Sequence, residues 1–346
     1  MRSLRPLALT LALGCTPGPD VEVVGARELG PLITVDGVEL RERGYSLYGF
    51  GRSLWLFGET RLASPDSQGS SLRSNGWSQT LDVVASDGIA SFVTATDAWG
   101  GPAELFAWTA EELAFNQTAT DERVAIWPLT GVRDDRLDRV LVFYVKLRVS
   151  ESGQHTAIGS SIAVWSDLEF GPIRPILDAA SDEPTLLFVA PEPPFGQAAL
   201  IVGEHLYAYG CEDSLYRPCK LARVELSAVF ERGAWRFWTG REWSSELADA
   251  VALLEADTVF SVGYNAHVDR YLAFYGERER GEISLRSAER PEGPWSSPIH
   301  AFTAEAAIAD VIAHAEFRRG AGRLEYLSYR VGGELRLVEL ELAPGG

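Results

Sequence analysis

The sequence predicts an all-β chain folded as one five-bladed β-propeller, on three observations: apolar residues in period two or short runs, one hairpin pattern recurring five times, and turn chemistry inside every copy. The recurring second runs are 54–58 (Leu-Trp-Leu-Phe-Gly), 140–144, 205–210, 271–276 and 324–329, each with an aromatic near its end. Taking Phe57, Tyr144, Tyr209, Tyr275 and Tyr329 as equivalent, the intervals are 87, 65, 66 and 54 residues, each room for a four-stranded sheet with loops. A hairpin that cannot bury its own face must stack on a neighbour, and radial closure removes exposed edges. A β-sandwich with coincidental hairpins is the competing architecture. Turn residues separate the paired runs at Gly51-Arg52, Asp134-Asp135-Arg136, Gly203-Glu204, Val268-Asp269 and Gly320-Ala321-Gly322. If the first run of each pair is the innermost strand, Glu42, Glu122, Glu192, Asp257 and Asp310 ring one end of the central funnel. A helical turn is expected only in stretches such as Ser245 to Ala256.

The amino terminus reads as an export signal over residues 1–15. Arg2 and Arg5 precede an apolar run from Leu7 to Leu13, too short to span a bilayer permanently. Cys15 follows Ala12-Leu13-Gly14, which resembles the lipobox of bacterial lipoproteins, so Cys15 is the expected lipidation site; an unacylated signal with an incidental cysteine is the alternative. Residues 16–30 open with Thr16-Pro17-Gly18-Pro19-Asp20 and are expected to be a tether, leaving residues 31–346 for a single propeller domain. These features predict a lipid-anchored protein of the bacterial cell envelope, touching the membrane through its anchor only.

Cys211 and Cys219 lie close together in an exported chain with no Cys or His nearby to complete a metal site, which predicts a disulfide. Net charge is −18, and only Lys146 and Lys220 are lysines. A nucleic-acid role needs a basic face that this composition does not supply, and acidic polymers are disfavoured likewise. Neutral polysaccharides or oligosaccharides remain as expected partners, met by a monomer. No phosphate loop, zinc-type spacing or nucleophile elbow is present, and Ser160-Ser161 lacks the Gly-x-Ser-x-Gly frame, so neither metal nor cofactor is expected.

One pair of carboxylates stands out. The strand Leu54-Trp-Leu-Phe-Gly-Glu-Thr60 ends in Glu59, and Glu42-Arg43-Gly44-Tyr45-Ser46 puts Glu42 before the paired strand. Hairpin partners carry their loop-distal ends to the same rim. Two carboxylates across a sugar-sized gap are what glycoside hydrolysis asks for: one protonated to donate to the leaving oxygen, one ionised to activate water or attack carbon. The residues alone are only suggestive, and a solvated surface pair remains the competing reading.

Further along, Tyr45-Ser46 with 54–60, Arg73-Ser74-Asn75 and Ile126-Trp127-Pro128-Leu129 resemble the opening half of the bacterial domain-of-unknown-function family 4185. Phe195-Gly196-Gln197, 207–211, 235–240, 261–265 with Arg270-Tyr271, and Arg290 to Ser296 extend the resemblance over roughly residues 40 to 330. The resemblance implies a five-bladed propeller related to furanosidase propellers, with some members endo-D-arabinanases that act with inversion. The family's acidic pair is typically two aspartates, which fall by motif on Glu42 and Glu59; Arg43 replaces the usual glycine. One extra methylene moves a carboxyl by roughly 1.5 Å, and a misplacement near 1 Å can cost on the order of 100-fold in rate. The resemblance also implies an acidic residue after the Ser-Asn segment, which is Asp82.

The candidate catalytic set is therefore Glu42 and Glu59 as the acid/base pair, with Asp82 in support. Tyr45, Asn75, Trp77, Trp127, Asn265 and His267 are candidate substrate-binding residues. Competing structural roles are a strand-end cap for Asp82, a turn for Asn75, a solvated loop for His267 and blade packing for Trp77 and Trp127; Trp295 reads as structural. The functional expectation is a glycoside hydrolase acting on a furanose-containing polysaccharide. The rival, which the double replacement of Asp by Glu favours, is a surface propeller that binds glycan without cutting it.

Overall fold

The computed structural model describes residues 20–346 except 213, 215, 216, 258, 278 and 279. Cys15, the signal and the first tether residues lie outside the described residues. Strand β1 (Val21–Pro31) comes first in the chain. Blade 1 contains β2 (Val38–Gly49), β3 (Arg52–Leu62), β4 (Leu72–Arg73) and β5 (Gly76–Thr80). Helix α1 (Ala110–Thr118) then precedes blade 2, made of β6 (Glu122–Asp134), β7 (Arg139–Ser150), β8 (His155–Trp165) and β9 (Phe188–Val189). Blade 3 holds β10 (Ala198–Val202), β11 (His205–Cys211), β12 (Pro218–Glu225), β13 (Arg236–Trp238) and β14 (Trp243–Ser244), with β15 (Leu254–Glu255) paired to β12. Blade 4 is β16 (Phe260–Asn265), β17 (Arg270–Glu277), β18 (Glu282–Ala288) and β19 (Ile299–Thr303). Blade 5 is β20 (Ala309–Ala313), β21 (Leu324–Val331), β22 (Glu334–Pro344) and, across the closure, β1.

The chain is thus a five-bladed β-propeller. The innermost strands β2, β6, β10, β16 and β20 each touch the next, and β20 touches β2. All five recurring aromatics fall on the second strand of a blade and are buried. Both faces of each blade are covered, which explains why Leu54, Trp55, Leu56 and Phe57 are consecutive and all fully buried rather than alternating. Five apolar clusters fill the five blade interfaces; Trp55, Phe57, Phe317 and Tyr326 seal blade 5 against blade 1.

Residues 21–30 depart from the expected tether. Val21 to Pro31 pairs antiparallel with Pro344 to Arg336 as the outer strand of blade 5, so both ends of the chain build one blade. Val21 and Val23 pack into the apolar layer there, a pattern that the preceding Pro and Gly residues masked. Between Ser245 and Ala256 the only helical turn is the 3₁₀ segment Leu247–Asp249. The sequence signal for α1 was missed: Thr109 and Glu112 form a reciprocal capping box. Glu112 is buried against Arg174 (2.6 Å) and Lys146 (3.1 Å). Cys211 and Cys219 face each other in the β11–β12 register and are disulfide-bonded.

Candidate active site

The loop-distal ends of the inner hairpins converge on one face of the propeller. There a cavity of about 800 Å³ is lined by Glu42, Arg43, Glu59, Arg61, Arg123, Trp127, Asp310 and Arg330, among others. A second cavity of about 550 Å³ shares Arg43, Trp127 and His155 with the first and continues over Pro191, Pro194, Gln197, Cys211 and Arg217. Helix α1 shapes one wall: Asn116 lines the first cavity and fixes its end to β6 by exchanging hydrogen bonds with the backbone of Val124.

Glu42 and Glu59 meet in this cavity because β2 bulges. Its register against β3 slips between Arg41 and Arg43 and again before Tyr45, with Arg43 at φ 69° and Gly44 at φ 118°. The left-handed turn swings Glu42 out of the ladder. Asp310, itself at φ 56°, locks the bulge by accepting from the Arg43 backbone N–H (3.0 Å) and from Arg330 Nε (2.7 Å).

The two glutamates are in different electrostatic states. Glu42 makes no hydrogen bond or ion pair among the described residues. Burial, then the negative charge of Asp310, push its carboxyl above the usual range against the opposing pull of Arg43 and Arg330. Glu59 is ion-paired through Oε2 to Arg123, while its Oε1 has only Arg61 at 4.0 Å. One carboxyl therefore favours its proton, and the other is ion-paired through one oxygen, with Arg61 at 4.0 Å from the second.

The acidic ring lies on this face, but each of its other members carries a cation. Glu122 pairs with Arg148 (2.7 Å), Glu192 with Arg232, Asp257 with Arg217 (2.6 Å) and Asp310 with Arg330 (2.7 Å). Those arginines were not singled out in the sequence. Arg123 directly follows Glu122, and a period-two reading puts it on the opposite face of β6, toward Glu59.

Several expected site residues lie elsewhere. Asp82 follows β5, whose Thr80 pairs with Ser53 at the far end of β3, roughly 20 Å of strand from Glu59. Its oxygens accept from the Val84 and Ala90 backbone N–H groups, so it caps a loop on the other face. Asn75 is fully buried, donating to the Ile126 carbonyl and accepting from the Leu105 and Phe106 amides. Trp77 packs edge-to-face on Trp165 between blades 1 and 2. Asn265 and His267 belong to the β16–β17 turn at the opposite end of the strands; Asn265 ties that turn to Gly322 and Glu325. Tyr45 is buried and donates to the Gln197 carbonyl (3.0 Å). Of the aromatic candidates Trp127 alone lines the cavities, and it lies under the Arg43 guanidinium.

The fold and this polar funnel define a class, the five-bladed propellers with an acidic axial face. Among solved structures, the native arabinanase Arb43A of Bacillus subtilis aligns with a TM-score of 0.51 at 10% identity, covering 91% of this chain and 97% of that one. The GH43 β-1,3-galactosidase BT3683, solved with galactodeoxynojirimycin, gives 0.51 at 8% identity over 90% and 93%. The GH43_1 enzyme of Xanthomonas citri with xylose gives 0.50 at 12% identity over 92% and 90%. These likenesses establish the fold. The sequence profile of the family described as Domain of unknown function (DUF4185) matches residues 45–314, and the chain belongs to that family. No sequence among curated proteins matches this chain.

Proposed function

We propose that this protein is a glycoside hydrolase of the cell envelope that cleaves a furanose-containing polysaccharide in the axial funnel, with Glu42 as general acid and Glu59 as its partner carboxylate. The observation that carries the reading is the contrast between them. Glu42, half-buried, unpaired and beside Asp310, favours its proton; Glu59, ion-paired through Oε2 to Arg123, has only Arg61 at 4.0 Å from Oε1. In an inverting step the Glu42 proton goes to the glycosidic oxygen as the C–O bond breaks. Glu59 Oε1 takes a proton from the water that attacks the opposite face of the sugar. Asp310, rather than Asp82, is the supporting carboxylate, because after burial its negative charge is the next contribution that opposes ionisation of Glu42. Arabinanase, galactosidase and xylose-bound relatives of this shape support a glycan as the ligand. Incubation with arabinans, galactans and other furanose polymers, read by product chromatography, tests the activity; absence of product from every polymer contradicts it.

The engagement of Glu59 by Arg123 favours a second reading, a propeller that binds glycan without cutting. Measurable affinity for a polymer that stays intact at high enzyme loading selects it. For the cell-envelope part of the proposal, support comes from the apolar run Leu7 to Leu13 just before Gly14-Cys15. Mass spectrometry of the mature protein is expected to find diacylglycerol on Cys15; an unmodified amino terminus elsewhere contradicts the anchor.

A further inference from the structure

Arg43 is an unusual arginine. Its side chain is 9% exposed, makes no ion pair among the described residues, and has no hydrogen-bond partner for Nη1. It lines both cavities at their junction, with Cζ 5.0 Å from the Trp127 ring centroid. Trp127 is 6% exposed, lines the same two cavities, and has no acceptor for its Nε1–H. Two buried donors on touching side chains, each without an acceptor among the described residues, belong to residues that line both cavities. Of the neighbouring carboxylates, Glu59, Glu192 and Asp310 are ion-paired to Arg123, Arg232 and Arg330, and Glu42, although it attracts Arg43, makes no hydrogen bond or ion pair with it.

This arrangement is built by the backbone. The left-handed φ of Arg43 is held by Asp310 on its amide, and Gly58 opposite leaves the lane for the stem: a Cβ there would meet Arg43 Cδ at 3.2 Å. A guanidinium removed from water without a counter-charge is unfavourable, and a planar two-oxygen anion matches its fork while reaching a second donor. We infer that Arg43 and Trp127 form a subsite for a carboxylate carried by the glycan, so that the polysaccharide taken by this funnel contains uronic acid residues. The inference rests on the reading of the funnel as a glycan site. Whole-chain charge favours a neutral partner; at this junction Arg43, which has no ion pair among the described residues, revises that expectation locally.

The test is calorimetric binding of matched trisaccharides to the full-length protein. The acids are trigalacturonate, triglucuronate, trimannuronate and triguluronate, each beside its methyl ester; arabinotriose and xylotriose serve as neutral sugars. At least one acid is expected to bind about tenfold or more tightly than its ester, with the preference weakening as salt rises. In Arg43→Gly, where φ 69° suits glycine, the acid-to-ester ratio is expected to collapse to about one. Arg43→Lys should keep part of it, and Trp127→Phe should lower it about threefold. Equal binding of acid and ester in all four pairs, or a ratio that survives in Arg43→Gly, overturns the inference. If the neutral trisaccharides or the esters still bind, the glycan reading of the funnel stands while the carboxylate subsite falls. If no sugar of either kind binds, both fall.

Discussion

At the residue scale the environment of Glu42 disfavours its charge. Because burial and Asp310 raise its affinity for a proton in the folded state, ionising it weakens the fold. That penalty is absent below the ordinary carboxyl value of 4.5, grows as pH rises through the folded value, and is complete above it. Glu42→Gln is therefore expected to raise the melting temperature at pH 7 and to leave it unchanged near pH 4, as calorimetry across pH can read. A stability loss at pH 7 would show that Glu42 is a paired structural carboxylate instead. Asp310→Asn removes a negative charge beside Glu42 and should shift the alkaline limb of the pH–rate profile to lower pH. An unmoved limb would remove Asp310 from its supporting role. Asp82 and Asn75 show the limit of motif reading at this scale, since each stands near the right strand but has its oxygens spent on loop amides.

At the scale of elements, α1 is a short helix held by charge more than by its own apolar face. Burial alone would raise the Glu112 carboxyl, but Arg174 and Lys146 outweigh it and hold it at about 2. Its contribution is present above 4.5 and is lost as pH falls toward 2. Glu112→Gln is expected to cost about 3 kcal/mol, because it leaves Arg174 buried without its anion. Hydrogen exchange should show α1 and residues 119–123 opening first, with the cavity wall they form. An unchanged melting temperature would mean that apolar packing holds the helix. The hairpins were legible because turn chemistry and aromatic runs are local signals. The helix left only the local Thr109–Glu112 capping box in the sequence, because its anchors Lys146 and Arg174 come from distant parts of blade 2.

For the whole molecule, the ring is closed by strand pairing within blade 5. Strand β1 crosses from the amino terminus to pair with β22, and Val21 is fully buried there. A chain beginning at Leu32 exposes the β22 edge and should melt about 10 °C or more below the full chain, with a tendency to aggregate. A melting temperature within a degree or two would show that the inner ring suffices. Five blades and their order were readable because the repeat is a property of the chain itself. Which carboxylates share a rim with which arginines was not, because it depends on the Arg41–Tyr45 bulge and on which end of each strand faces the funnel.

The division of labour between Glu42 and Glu59 is tested most directly by leaving-group dependence. Take Glu42→Gln and Glu59→Gln on a natural furanosyl linkage and on its dinitrophenyl analogue, whose leaving oxygen needs no proton. Glu42→Gln should lose about three decades of rate on the natural linkage and within about one on the aryl substrate, whereas Glu59→Gln should lose about three on both. Undiminished hydrolysis of the natural linkage in both variants, or an equal loss on both substrates in Glu42→Gln, would contradict the assignment of Glu42 as the acid.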